Sequence, residues 1–385
     1  MPQTYPGTGV VAHDTGAVQS GYTLIQGILP GGAQVRMVDM DGTEVHRWTI
    51  EFFDLWTNPT HVSPVENLPK SDLHYHTQGF WPLPDGSIVV NVSDLGAVRL
   101  DHCSEPVWKL DRMTHHAVTR TPQGDFWLAS HIPLEETPTD LLPRGVSADD
   151  LAQKLIGWGR HYNNSILKVS TEGEILSEFS VLQAVTDAGL EHALYSSLLE
   201  FMPDPTHLND VELVNEALAE KIGDVRAGDL LVSLRSMDML AILDQEDGRL
   251  KWHKQGPWVH QHDADVMSDG SIEIFNNRKK IVGPWVTGSQ ILSYDATTDT
   301  TNVLHPVAEE DRFHSDIMGA QQRLENGNLL ITETLAGRAF EVDPAGKVVW
   351  DYRLPYDDET ASLFEVVMRI PPDFFEKNSW TCKES

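Results

Sequence analysis

The sequence predicts an all-β fold: a six-bladed β-propeller with helical insertions, its N-terminal strands closing the last blade. Three observations predict it. One spacing recurs: Gln78, His116, His262 and Gly319 each stand eight residues before a glycine, at Gly86, Gly124, Gly270 and Gly327. Around each glycine the residues alternate between apolar and polar, as the strands of a hairpin do. Further along each unit, a second strand pair meets at a turn, often Asp-Gly, and often ends in tryptophan, as at Trp48, Trp108, Trp252 and Trp350. Four strands per unit, repeated, describe propeller blades.

In chain order, residues 1–20 are polar and glycine-rich and read as an N-terminal arm. Residues 22–48 alternate, with breaks at Pro30-Gly31-Gly32 and Asp41-Gly42. Inner strands begin near Gln78, His116, His207, His262 and Gly319, and a sixth runs over 363–369. The strands at 22–48 complete that sixth blade, so the propeller spans 21–375 and residues 376–385 form a tail. Two stretches break the rhythm. Residues 132–205 hold a helix opened by Ser147 and a second helical run at 181–190; these insertions are expected to roof one mouth of the ring. Residues 213–226 read as a smaller helical insertion. The four tryptophans share one repeat position, which fits packing better than binding.

The chain has 385 residues, of which 40% are hydrophobic, enough for a large core. Its formal net charge of −30 opposes binding to nucleic acid or to an anionic membrane through a broad field. An anionic ligand then needs a local cationic pocket. Two cysteines are too few for a disulfide framework and are expected to be free thiols. No basic-then-apolar leader and no run of ~18 apolar residues is present. The expectation is a soluble protein, cytoplasmic, or exported if a leader was removed. The sequence implies no oligomeric state.

A residue at the start of an inner strand lies at one mouth of the central channel. His116, His207 and His262 occupy that position on three blades, so the ring brings them together despite their separation in the chain. His76 lies just before the matching point of the first blade. Arg235 follows the second strand of the His207 blade. In an acidic protein, an arginine beside histidines suits an oxyanion, because its planar fork matches sulfate or phosphate oxygens. Phe80, Trp81 and Trp258 are candidates to line an aryl pocket.

Several motifs together resemble the bacterial arylsulfate sulfotransferases. They are Asp39-Met40-Asp41-Gly42 with Val45-His46-Arg47-Trp48, His115-His116, Thr206-His207-Leu208-Asn209-Asp210 leading to Ser233-Leu234-Arg235, and Gln261-His262-Asp263-Ala264. The run from Gly319 to Asn328 adds to them. The likeness covers roughly 20–370, and is to a shorter branch without the extra N-terminal β-domain. It implies a six-bladed propeller moving a sulfuryl group between phenols with no cofactor. It implies His262 as nucleophile, forming a sulfohistidine. His116, His207 and Arg235 would stabilise sulfuryl charge and handle the phenolic proton. His76, His115, His260 and Asn209 would help bind a small aromatic or other organic anion. The chain departs from the family pattern at Ala117, where a carboxylate often follows the histidine.

Those residue types suit the chemistry. An unprotonated imidazole attacks sulfur and splits the transfer into two steps. Arginine and histidine donors stabilise charge on the transferred oxygens. Two other readings fit the same residues. His76, His116, His207 and His262 could ring one divalent transition metal, with Asp210 or Asp263 assisting, in a lyase or hydrolase. A propeller face can also be a non-catalytic binding scaffold.

Overall fold

The structure is a computed structural model that describes residues 2–143, 145–157, 161–196, 204–278, 288–377 and 380–382. Six antiparallel sheets form a ring of blades. Their inner strands are Thr77–Pro82, Thr114–Arg120, Leu208–Leu213, His262–Val266, Ala320–Arg323 and Leu363–Ile370. Each inner strand touches the next around the full circle, the sixth meeting the first. The sixth blade is closed as the sequence predicts: Leu363–Ile370 pairs with Tyr22–Leu29, followed by Gly32–Val38 and Glu44–Thr49.

Local chemistry sets the outer turns. Asp39 Oδ1 accepts from the backbone N–H groups of Asp41 and Thr43 at 3.0 and 2.8 Å. Asp101 and Asp343 repeat this pattern on other blades. An aspartate that bonds its own turn holds the hairpin before any tertiary contact forms. The tryptophans then bind blade to blade. The indole N–H of Trp48 donates to Gly86 O, that of Trp108 to Thr171 O, and that of Trp350 to Met40 O, in each case on the following blade. They pack, as expected from their shared position.

The apolar residues divide into six clusters, one at each junction between neighbouring blades. The largest lies between the second and third blades and takes in the inserted helices Ala148–Lys154 and Val181–Asp187. Ser147 and Ser180 cap them, accepting from Asp150 N and Gln183 N. A further helix, Glu216–Lys221, is capped by Asn215 and buries Leu218. Residues 144, 158–160 and 197–203 of the expected insertion lie outside the described residues.

The two ends differ from expectation. Residues 1–20 are more than an arm: Gly9–His13 adds a fifth, outermost strand to the fifth blade by pairing with Val348–Arg353. The tail is tied down, with Trp380 packed on His46, Trp48 and Phe375. The free-thiol expectation is wrong: Cys103 and Cys382 form a disulfide across 279 residues of sequence. The ring brings together cysteines that spacing alone could not pair. Such bonds persist in oxidising compartments. Among the described residues, no helix is long and apolar enough to cross a membrane. Replacing both cysteines with serine should cost about 2–4 kcal/mol while leaving the far-ultraviolet dichroism of the propeller unchanged. Denaturant titration checks this; an unchanged midpoint overturns it.

Candidate active site

The inner strands enter the ring through bulges. Register shifts break the ladder at Thr77/Phe80, Leu208/Asp210 and His262/Ala264, and opposite Leu128/Ala129. His116 and His207 adopt φ of 46° and 47°, a left-handed conformation uncommon outside glycine. Their neighbours hold them there. The Asn91 side-chain amide donates to the carbonyls of His115, His116 and Ala117, each at 3.0 Å. Gly79 lies so close that an added Cβ would sit 1.9 Å from His116 O. The bulged segments hold Gln78 and His116 at the mouth and Asn209 and Asp263 in the channel below it.

There a cavity of about 200 Å³ receives His116, His207, His262 and Arg235. The His116 ring lies 5.5 Å from that of His207 and 6.2 Å from that of His262, centroid to centroid. His115 lines the same cavity, as do Leu208, Ile317 and Met318, which supply its apolar wall. Two side chains from the inserted stretch, His161 and Asp204, also reach it.

Hydrogen-bond partners assign the tautomers. His262 Nδ1 meets Asn277 Oδ1 at 2.7 Å. The Asn277 amide is itself oriented, because its Nδ2 donates to the carbonyls of Ser315 and Met318. His262 therefore carries its proton on Nδ1 and leaves Nε2 unprotonated. His116 sits in a longer chain. Ser93 Oγ donates to Gln78 Oε1, and Gln78 Nε2 donates to His116 Nε2 at 3.2 Å. His116 Nδ1 donates to His115 Nδ1 at 2.7 Å, and His115 Nε2 donates to Ser130 O. The sequence places Ala117 where a carboxylate could orient His116; His115 orients it instead. His207 alone of the three has a carboxylate, Asp204 Oδ2, at 2.7 Å from its Nδ1.

Burial governs the electrostatics. It holds His262 well below the ordinary histidine range, and the Arg235 charge adds to the effect. His116 is depressed in the same way, by burial and then by the surrounding histidines. Burial takes His115 down to about 4. Burial pushes Asp204 up, but the nearby His207 and His161 outweigh it and its pKa falls below the usual value. Arg235 is mostly buried and makes no ion pair among the described residues, so a cationic fork faces the cavity uncommitted.

The other residues singled out by sequence lie elsewhere. His76 is bound to Glu365 at 2.5 Å and does not line the cavity, so the four-histidine metal ring is not assembled. His260 donates its backbone N–H to Asp238 and stands outside the cavity wall. Asn209 donates to Gln261 O and lines the axial channel below the mouth. The aryl-pocket expectation is corrected: Phe80, Trp81 and Trp258 pack in the clusters between blades, where hydrophobic burial outcompetes exposure to the mouth. Among the described residues, a different set, Asp94, His131 and His161, brings three ligand atoms within 4.8 Å of one another.

Sequence reading missed Asn277 and His131, yet the repeat contains them. Ser93, His131, Arg235, Asn277 and Thr334 each stand seven residues after a turn glycine, at Gly86, Gly124, Gly228, Gly270 and Gly327. A hairpin brings the position eight before its turn beside the position seven after it. The two lists together outline the mouth. His161 and Asp204 carry no such signal, because they lie in insertions.

The fold and its mouth define a propeller with a cavity lined by histidines and one arginine. Residues 80–354 match the family described as Arylsulfotransferase (ASST), and the chain belongs to that family. No curated protein matches the chain. Among solved structures, a Bacteroides caccae protein of unknown function is similar at 12% identity and TM-score 0.55, over 91% of this chain and 98% of that one. It shares the fold. A streptogramin B lyase matches at 11% identity and TM-score 0.41, over 72% of this chain and 69% of that one. A functionally unknown protein from Desulfotomaculum acetoxidans matches at 9% identity and TM-score 0.45, over 92% and 100%.

Below the mouth, Asp210 is buried and Glu212, Asp263 and Asp265 beside it are partly buried, in the axial channel region. Burial pushes Asp210 and Asp265 up to about 7. Burial, with mutual repulsion, raises Glu212 and Asp263 well above their usual values. An unfolded aspartate titrates near ~3.9. Between that value and about 7, the folded chain holds a proton at Asp265 that the unfolded chain has shed. Stability from this group is therefore complete below the unfolded pKa and is lost as pH rises through 7. Asp265→Asn should raise the melting temperature at pH 8 more than at pH 4. Equal shifts at both pH values would count against the buried-acid account.

Proposed function

We propose that this protein moves a sulfuryl group from an aryl sulfate to a phenolic acceptor through a sulfohistidine at His262. The observation that carries the reading is the contact of His262 Nδ1 with the oriented Asn277 amide, in the cavity that also holds the Arg235 guanidinium. Family membership supports the same chemistry.

In the first half-reaction, the Nε2 lone pair of His262 forms a bond to sulfur as the bond from sulfur to the aryl oxygen breaks. The departing phenolate takes a proton from His207 Nε2, whose Nδ1 is held by Asp204. In the second, an acceptor phenol returns that proton to His207, and its oxygen attacks sulfur. The N–S bond breaks and His262 is restored. Arg235 balances the charge on the sulfuryl oxygens in both transition states. His116, with both ring nitrogens engaged, shapes the cavity and holds the sulfuryl group against His262. A neutral nucleophile is required for attack, and burial keeps His262 neutral well into the acid range. The cavity of about 200 Å³ is smaller than the roughly 300–1,000 Å³ of drug-sized pockets, which favours a single aromatic ring.

Incubation with 4-nitrophenyl sulfate should add one sulfuryl mass to the peptide containing His260 and His262. His262→Ala should abolish both the label and nitrophenol release, while His260→Ala keeps the label. Arg235→Lys should lower kcat/KM by about 100-fold, the scale of losing one aligned donor to a developing oxyanion. Absence of a covalent label with turnover restored only by added metal would replace this reading with a metal-dependent one.

A further inference from the structure

We propose that Asp94, His131 and His161 bind one divalent transition-metal ion of the zinc class in the cavity wall, apart from the sulfuryl-transfer residues. The three ligands come from separate elements. Asp94 follows the second strand of the first blade, Ile88–Val92, and takes a left-handed φ of 62°. His131 closes the second strand of the next blade, Phe126–Ile132. His161 comes from the inserted stretch, just before Asn163–Val169. Backbone bonds fix two of them to one place: Asp94 N donates to Thr114 O, and His131 N to Met113 O.

The side chains converge on a point. His131 Nε2 and His161 Nε2 lie 3.2 and 3.1 Å from the same oxygen, Asp94 Oδ1. The edge of a zinc tetrahedron, for bonds of ~2.0–2.1 Å, is about 3.3 Å. Both nitrogens already stand near that separation from the oxygen.

Hydrogen bonding alone explains the arrangement poorly. The two imidazoles are stacked, with centroids 3.6 Å apart and planes 15° from parallel. His131 makes a hydrogen bond to Asp94 Oδ1, whereas the His161 contact lacks hydrogen-bond geometry. The ion-pair contact with Asp94 is the partner this nitrogen of a 5%-exposed histidine has among the described residues. Such an atom carries a desolvation cost that a bound cation removes. Two imidazoles and one carboxylate suit zinc and its neighbours rather than magnesium or calcium, which prefer oxygen ligands. All three residues line the cavity, so a fourth position opens onto it, where an anionic oxygen or a water can complete the coordination.

The test is metal binding, read without reference to turnover. Protein stripped with a chelator is titrated with Zn²⁺ by calorimetry, and a second sample is loaded with Co²⁺ and followed by its visible spectrum. The expected result is one ion per chain, with proton release that appears as a dependence on buffer ionisation enthalpy. Asp94→Asn and His161→Gln should each weaken Zn²⁺ binding by more than about 100-fold, beyond the loss from removing a mere supporting partner. Thermal melting in metal-free buffer establishes that the variants fold, and added Zn²⁺ should raise the melting temperature of the parent protein only. His262→Ala should bind Zn²⁺ like the parent, so loss of sulfuryl labelling and loss of metal are separate outcomes. Failure of the parent to bind one equivalent, or unchanged affinity in both variants, overturns the proposal.

Discussion

The hydrogen-bonded ladder between Tyr22–Leu29 and Leu363–Ile370 is the interaction on which everything else depends. It joins a strand near one end of the chain to a strand near the other and converts five local sheets into a ring. Each apolar cluster is shared by two blades, so none is complete until its neighbours are in place. The separations among His116, His207 and His262 follow from the same closure. They belong to different blades, and the ring's radius, not local chain geometry, sets how far apart they stand.

Once gathered, these side chains are governed by exclusion of water. A buried imidazole is reluctant to take a proton, and the Arg235 charge deepens that reluctance at His262. Neutral partners do the orienting: Asn277 for His262, and His115 and Gln78 for His116. A single carboxylate, Asp204, is paired with His207. The missing acid after His116 is thus no vacancy. With Arg235 set among histidines, the mouth presents a local cation in a chain whose net charge is −30.

Much of this was legible in the sequence because propellers write their geometry as a period. The position eight before each turn glycine located His116 and His262, and the strand pattern placed His207 at the start of an inner strand and Arg235 after the strand that follows. The complementary position, seven after the glycine, was equally present and would have found His131 and Asn277. His161 and Asp204 were not legible, since an insertion has no register to compare. Aromatic character misled at Phe80, Trp81 and Trp258, which look like ligand contacts in a list of residues but serve the gaps between blades. The disulfide was hidden for a related reason. Cys103 and Cys382 are neighbours only after the sixth blade has delivered the tail beside the first.

The paths of the two chain ends beyond that sixth blade have a mechanical consequence. Ahead of Tyr22, the chain lies on the outer edge of the fifth blade; after Ile370, it crosses to the first and is bonded there through Cys382. The closing blade is thereby latched to both neighbours, in opposite directions, by segments that contribute nothing to the mouth. Parting the ladder at the seam does not by itself release the blade, because each half remains held to a different neighbour. Opening the ring becomes a concerted event, and a cut within either short latch turns it into a stepwise one.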